Sequence, residues 1–172
     1  MYSCKYDVEK PLKLLVNKGK AEVLPPKVHS PISYSDGDLG RDITLNRRST
    51  TSTTHLYNGT IYDWVCTKQN MTADCTNGSE IRALHTCVRR IIVHRRFLAS
   101  AGHPVSAPTI AYEDNSATIS QVLKDRLTPQ IKHLDLKVTW LHQQKLLGIF
   151  IPEACPTDRQ LADFNSKPTG GH

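Results

Sequence analysis

The stretch TSTTHLYNGTIYDWVCT, residues 51–67, joins two β-prone runs through Asn58-Gly59. β-Branched and aromatic residues fill both runs, and Asn-Gly accepts the positive φ that a two-residue hairpin turn requires at both central positions. The reading is an antiparallel pair of strands at about 51–57 and 60–66. On the N-terminal side, Pro31-Ile32-Ser33-Tyr34-Ser35-Asp36 alternates as a first strand, and a polar loop over 39–48 follows it. On the C-terminal side, a polar loop over 68–78 leads to a long amphipathic helix that Ser79 is expected to cap and that runs to about Ala101. Ile81, Leu84, Val88, Ile91 and Leu98 mark its apolar face. Gly102 and Pro104 are its stop signals.

Further along, the apolar run Thr109–Tyr112 ends in Glu113-Asp114-Asn115. Helices are expected over 116–127 and 132–145, the second halted by Gly148, with a short strand at Ile149–Ile151. Asp158 is expected to cap a last short helix holding Leu161 and Asp163. The order β-β-β-α-β-α-α-β-α implies an α/β fold: a mixed sheet with helices packed on its faces.

The 172 residues fit one domain. Residues 1–30 read as a lysine-rich lead-in, 31–168 as the folded domain, and 169–172 as a flexible tail. A net charge of +6 fits a polyanionic partner, though basic domains without one are common. Neither a signal-peptide core nor an apolar stretch of about 18 residues is present, so neither secretion nor membrane spanning is expected. The five cysteines, at 4, 66, 75, 87 and 155, show no Cys-x-x-Cys spacing, so a zinc site is not expected. Such an odd, scattered set suits a reducing compartment. His55, His85 and His94 carry no readable constellation.

Four acids stand in readable local structure: Asp36 and Asp114 at strand ends, Glu80 at a helix start, and Asp163 near the C-terminus. Each alone has a plain explanation as a turn residue, a helix-dipole partner or a surface charge. Converged, they would repel one another and call for divalent cations. Two such ions about 3.5–4 Å apart make a phosphodiester-cleaving site. Arg82, Arg89 and Arg90 lie on the polar side of the long helix, which reads either as a solvated face or as one that tracks phosphates.

The wording around these acids resembles the ribonuclease H domain at the C-terminal end of copia-type LTR retrotransposon Pol polyproteins. Tyr34-Ser35-Asp36-Gly37-Asp38 is similar to the family's Tyr-Ser-Asp-Ala-Asp opening. Ser79-Glu80-Ile81-Arg82-Ala83-Leu84 resembles its Ala-Glu-Tyr-x-Ala-Leu. Tyr112-Glu113-Asp114-Asn115 resembles its acidic Asp-Asn motif. Lys132-His133-Leu134-Asp135-Leu136 resembles its Lys-His-Ile-Asp-Ile, and Gln160-Leu161-Ala162-Asp163 its closing Gln-Leu-Ala-Asp. Leu39 departs from the family's Trp, and Asn77-Gly78-Ser79 from the residues it carries before its Glu.

The resemblance implies a ribonuclease H-like fold, a five-stranded mixed sheet flanked by helices. It implies cleavage of the RNA strand of RNA–DNA hybrids with two Mg²⁺ ions, Mn²⁺ being able to substitute. Asp36, Glu80, Asp114 and Asp163 would be both metal ligands and catalytic groups, and Arg82, Arg89 and Arg90 would face nucleic acid. Implied partners are the hybrid and the reverse transcriptase domain of the same polyprotein, in a cytoplasmic virus-like particle or the nucleus. The alternative is a retained fold without turnover that binds nucleic acid or protein.

Overall fold

The computed structural model describes residues 31–39, 48–70, 75–124 and 134–166. The expected lead-in, the tail and most of the 39–48 loop lie outside them. Three strands come first: β1 (Pro31–Asp38), β2 (Thr50–Tyr57) and β3 (Thr60–Lys68). The long helix α1 (Thr76–Ser100) follows, then β4 (Thr109–Glu113), α2 (Ser116–Lys124), α3 (Asp135–Leu146) and β5 (Phe150–Ala154). A 3-10 turn at Thr157–Arg159 and the short helix α4 (Asp163–Ser166) complete the described chain. The strands form one sheet in the order β3-β2-β1-β4-β5. β1, β2 and β3 pair antiparallel, and β4 joins β1 and β5 in parallel. The five-stranded mixed sheet flanked by helices is therefore as expected.

The hairpin turn is the one that Asn58-Gly59 encodes. Tyr57 pairs with Thr60, and Asn58 and Gly59 take φ of 51° and 78°. Ile81, Leu84, Cys87, Val88 and Ile91 of α1 share a core with Val122, Leu134, Val138, Leu141, Ala111 and Phe150. A second core on the other side of the sheet holds Ile32, Tyr34, Leu56, Cys155, Leu161 and Ala162.

β2 departs from the usual rule that buried strands are apolar. Thr50, Thr51, Ser52, Thr53, Thr54 and His55 are all buried. Partners for this polar strand come from several directions: Gln69 Nε2 donates to Thr51 Oγ1 at 3.0 Å, and Asn165 Nδ2 donates to Thr54 Oγ1 at 3.2 Å. A buried hydroxyl with a partner avoids most of its desolvation cost.

Two helix starts differ from expectation. α1 begins at Thr76, after Cys75, and Ser79 lies inside its first turn. The Ser79 hydroxyl sits 2.6 Å from Gly37 O and 2.7 Å from Thr76 O, so it ties the helix to β1 instead of capping it. Asp158 falls in the 3-10 turn, and Gln160 is extended, with φ −76° and ψ 102°. The buried Gln160 amide donates to Ser35 O at 2.9 Å, and that bond separates the turn from α4. The residues expected to end α2 and begin α3, 125–133, lie outside the described residues.

The contact between β1 and α1 is backbone against backbone. A Cβ at Gly37 would lie 2.5 Å from Ser79 C and O and 2.6 Å from Glu80 N. No side chain fits there without parting the two elements. The Gly37→Ala variant is expected to lose about 3 kcal/mol of unfolding free energy, read from the urea midpoint at unchanged m-value.

Candidate metal centre

β1 is the central strand, and its last turn of pleat carries Asp36. β4 lies beside it and ends at Glu113, so Asp114 emerges at the same edge. Strand alternation gives Asp36 the parity of Tyr34, and Asp114 that of Tyr112, whose ring packs 5.0 Å from that of Tyr34. Glu80 arrives from the helix layer, where the close approach at Gly37 lets its Oε2 accept the Gly37 N–H at 2.6 Å. Asp36, Glu80 and Asp114 thereby bring one carboxylate oxygen each within 4.8 Å of the other two. Asp36 and Glu80 are only 7% and 5% exposed. Asp163, half-buried at the start of α4, is not a member of this group. Gln160 and Ala162, just before it, are held against β1, in the Gln160–Ser35 bond and in the second core.

Crowding shows in proton affinity. Burial, then the charges of Asp36 and Asp114, push the Glu80 carboxyl up to about 8. Beneath it lies a further acid that sequence reading passed over. Glu113 is fully buried, accepts the Ser35 hydroxyl at 2.8 Å, and is pushed well above the usual carboxylate range by burial and by Glu80. A signal for it existed: Glu113 has the same strand parity as the buried Ala111, which faces the α1 core. Gln69 was also missed. Its amide bonds both Thr51 and Ser79 O, holding the first turn of α1 to the sheet, a role that the sequence reading did not assign to it.

Asn115 caps α2. Its Oδ1 accepts the Ala117 and Thr118 N–H groups at 3.0 and 3.2 Å, which fixes the chain direction just after Asp114. The Thr157 hydroxyl donates to Asp114 Oδ2 at 3.2 Å.

The arginines separate. Arg82 and Arg89 line a groove of about 470 Å³ together with Lys68, His85 and Lys137. Desolvation, then the charges of Arg82 and Arg89, lower the proton affinity of Lys137. A bound anion would relieve that repulsion. Arg90, grouped with these two by helical spacing, instead forms a bidentate pair with Asp63 at 2.7 and 2.8 Å, which commits its guanidinium within the chain.

No family model matches the chain. Solved structures do. The chain is similar to LC11-RNase H1, isolated from compost by a metagenomic approach, at 15% identity and TM-score 0.58, over 80% of this chain and 92% of that one. RNase H1 from the halophilic archaeon Halobacterium salinarum matches at 15% identity and TM-score 0.56, over 80% and 94%. The foamy viral protease-reverse transcriptase in complex with RNA/DNA hybrid matches at 16% identity and TM-score 0.59, over 87% of this chain and 21% of that one. These likenesses show a ribonuclease H-like fold.

The raised carboxyls dictate a pH dependence. Folded Glu80 and Glu113 hold protons that the unfolded chain releases above about 4.5. The Glu80 contribution is therefore complete below that pH and is lost as pH rises toward 8, and the raised Glu113 carboxyl acts in the same direction. His55 and His85, held neutral by burial at about 3 and 4, act oppositely, but only up to their ordinary value of 6.5. Thermal melts in EDTA should thus show stability falling between pH 6.5 and 8, by at most about 1.4 kcal/mol per unit per group. Glu80→Gln should flatten that slope and raise Tm at pH 8; an unchanged slope would show that Glu80 does not cause it.

Proposed function

We propose that this chain is a ribonuclease H: a metal-dependent endonuclease that hydrolyses the RNA strand of RNA–DNA hybrids, derived from a copia-type retrotransposon Pol. The observation that carries this reading is the cluster of Asp36, Glu80 and Asp114 on a ribonuclease H-like sheet. Three buried or half-buried carboxylates with hard oxygen donors suit Mg²⁺ or Mn²⁺, and a cation there would offset the Asp36 and Asp114 charges that, after burial, raise the Glu80 carboxyl. When bound, two such ions would supply an activated water and stabilise the leaving 3′-oxygen. Asp36, on the central strand, would contribute to holding both. Glu80 and Asp114 would each hold one, and Asp163 would complete the second site from α4.

The chain's own groups do the positioning. Gly37 N–H fixes one Glu80 oxygen, and Thr157 steadies Asp114. The basic groove beside the first turns of α1, with Arg82, Arg89 and Lys137, fits a phosphate backbone. Hybrid choice would follow from duplex shape and 2′-hydroxyl contacts, not from base reading. Two of the similar proteins, LC11-RNase H1 and the foamy viral protease-reverse transcriptase, were solved with RNA/DNA hybrids. The partners in this reading are the hybrid and a reverse transcriptase domain of the same polyprotein, in a virus-like particle or the nucleus. No helix among the described residues is long and apolar enough to cross a membrane.

The test is cleavage of a strand-labelled RNA–DNA hybrid with Mg²⁺, with Mn²⁺ and with EDTA. RNA-strand cutting that needs metal and falls about 100-fold or more in Asp114→Asn is the expected outcome. A folded chain that binds the hybrid in a salt-sensitive way without cutting it would be a binding module instead.

A further inference from the structure

α1 contributes one member to a second group of ligating side chains, four turns beyond Glu80 and about 20 Å along the helix axis. His94 of α1 meets His55 of β2 and Asp63 of β3, and one ligand atom from each lies within 4.8 Å of the other two. His94 Nε2 stands 2.9 Å from Asp63 Oδ2. The two imidazoles meet edge-on, with ring centroids 4.7 Å apart, and Tyr62 packs against His94 at 4.8 Å.

We propose that His55, Asp63 and His94 form a site for a borderline transition-metal cation, Zn²⁺ being the expected species, which clamps the β2–β3 hairpin to the C-terminal half of α1. Two imidazoles and one carboxylate are the donor set of Zn²⁺, Co²⁺ and their neighbours, and a poor one for Mg²⁺. This site and the carboxylate cluster therefore sort ions by ligand hardness, and it stands whether or not the chain cuts hybrids.

The surroundings resemble the outer layer of a metal site. Ser33 Oγ lies 2.8 Å from His55 Nδ1 and orients the ring. Arg90 Nη2 holds Asp63 Oδ1 at 2.8 Å while its Nε shares Oδ2 with His94. Such partners fix the direction of ligand lone pairs. Burial opposes the ionised Asp63 carboxyl, but the Arg90 hydrogen bonds and charge outweigh it and hold the group below its usual range. Burial keeps His55 neutral, so its lone pair is available.

The exchange conserves protons. A hydrogen bond between His94 and Asp63 places two lone pairs on one proton, and a metal ion takes the proton's place. The imidazole proton then sits on His94 Nδ1, a buried atom that makes no hydrogen bond, so no bond is lost there. Coordination through His55 Nε2 would cost its 3.2 Å contact with Thr53 Oγ1 and leave the Ser33 partner on Nδ1 in place. Ligand atoms of a tetrahedral zinc site stand about 3.3 Å apart, so the His94–Asp63 pair at 2.9 Å would open slightly, while no pair of the three starts more than 4.8 Å apart.

The experiment uses the full chain without an affinity tag, dialysed against EDTA and titrated with Co²⁺ and then Zn²⁺. The expected result is one Co²⁺ per chain with visible tetrahedral absorption, no thiolate charge-transfer band, and displacement by Zn²⁺. Zn²⁺ at a hundredfold excess over Kd should raise Tm by about 5–10 °C. Binding should persist in Asp114→Asn, which alters the carboxylate cluster, and vanish in His94→Gln and Asp63→Asn. Absence of binding by the folded wild-type chain would overturn the proposal without recourse to a variant, leaving a closed hydrogen-bond network. A thiolate band, or binding equal in wild type and His94→Gln, would overturn it as well.

Discussion

The contact of β1 with the first turn of α1 at Gly37 sets the geometry of everything near the sheet's edge. Backbone atoms of Ser79 and Glu80 occupy the space where a side chain at position 37 would stand. Three bonds lock that approach: Gly37 N–H to Glu80, the Ser79 hydroxyl at Gly37 O, and the Gln69 amide to Ser79 O. Strand alternation gives Asp36 the side of the second core, and Asp114 follows the end of β4, whereas α1 lies on the opposite layer. Glu80 can join them only because the helix begins flush against the strand end. A larger residue at position 37 would separate the cluster before it altered any acid.

The same crowding sets stability against chemistry. Glu80, Asp36 and Asp114 repel one another, and Glu113 adds a fourth carboxyl beneath them. A fold selected for stability alone would place apolar side chains there. Glu113, whose proton affinity is raised by burial, accepts the Ser35 hydroxyl. Charge is handled differently at the far end of α1, where Asp63 is matched by Arg90 and lies 2.9 Å from the His94 ring. One helix thus presents hard oxygen donors at its first turns and imidazole at its later ones.

Much of this architecture was legible because its causes are local. Asn58-Gly59 dictates its own turn, and Ile81, Leu84, Val88 and Ile91 declare a helical face through spacing alone. Asp36 and Asp114 were readable as strand-end acids because an apolar run stops beside each. Failures came where a distant partner overrode the local signal. Ser79 and Asp158 are good capping residues, yet Gly37 and Gln160 redirected both neighbourhoods. Arg90 shares a helix side with Arg82 and Arg89, yet Asp63 on β3 takes it. The polar run of β2 reads as a strand, and only its interior place in the sheet shows that six consecutive polar residues are buried, Thr50 through His55.

By itself, then, the sequence determined the order of strands and helices, the hairpin, and the positions of four acids at element ends, because turn chemistry and periodicity act within a few residues. The tertiary structure decided which groups meet. It gathered Asp36, Glu80 and Asp114 while leaving Asp163 outside the group, buried Glu113, and brought His55, Asp63 and His94 together from three elements. Those outcomes depend on strand order and on how closely a helix can approach a strand, and neither is encoded in the spacing of residues along the chain.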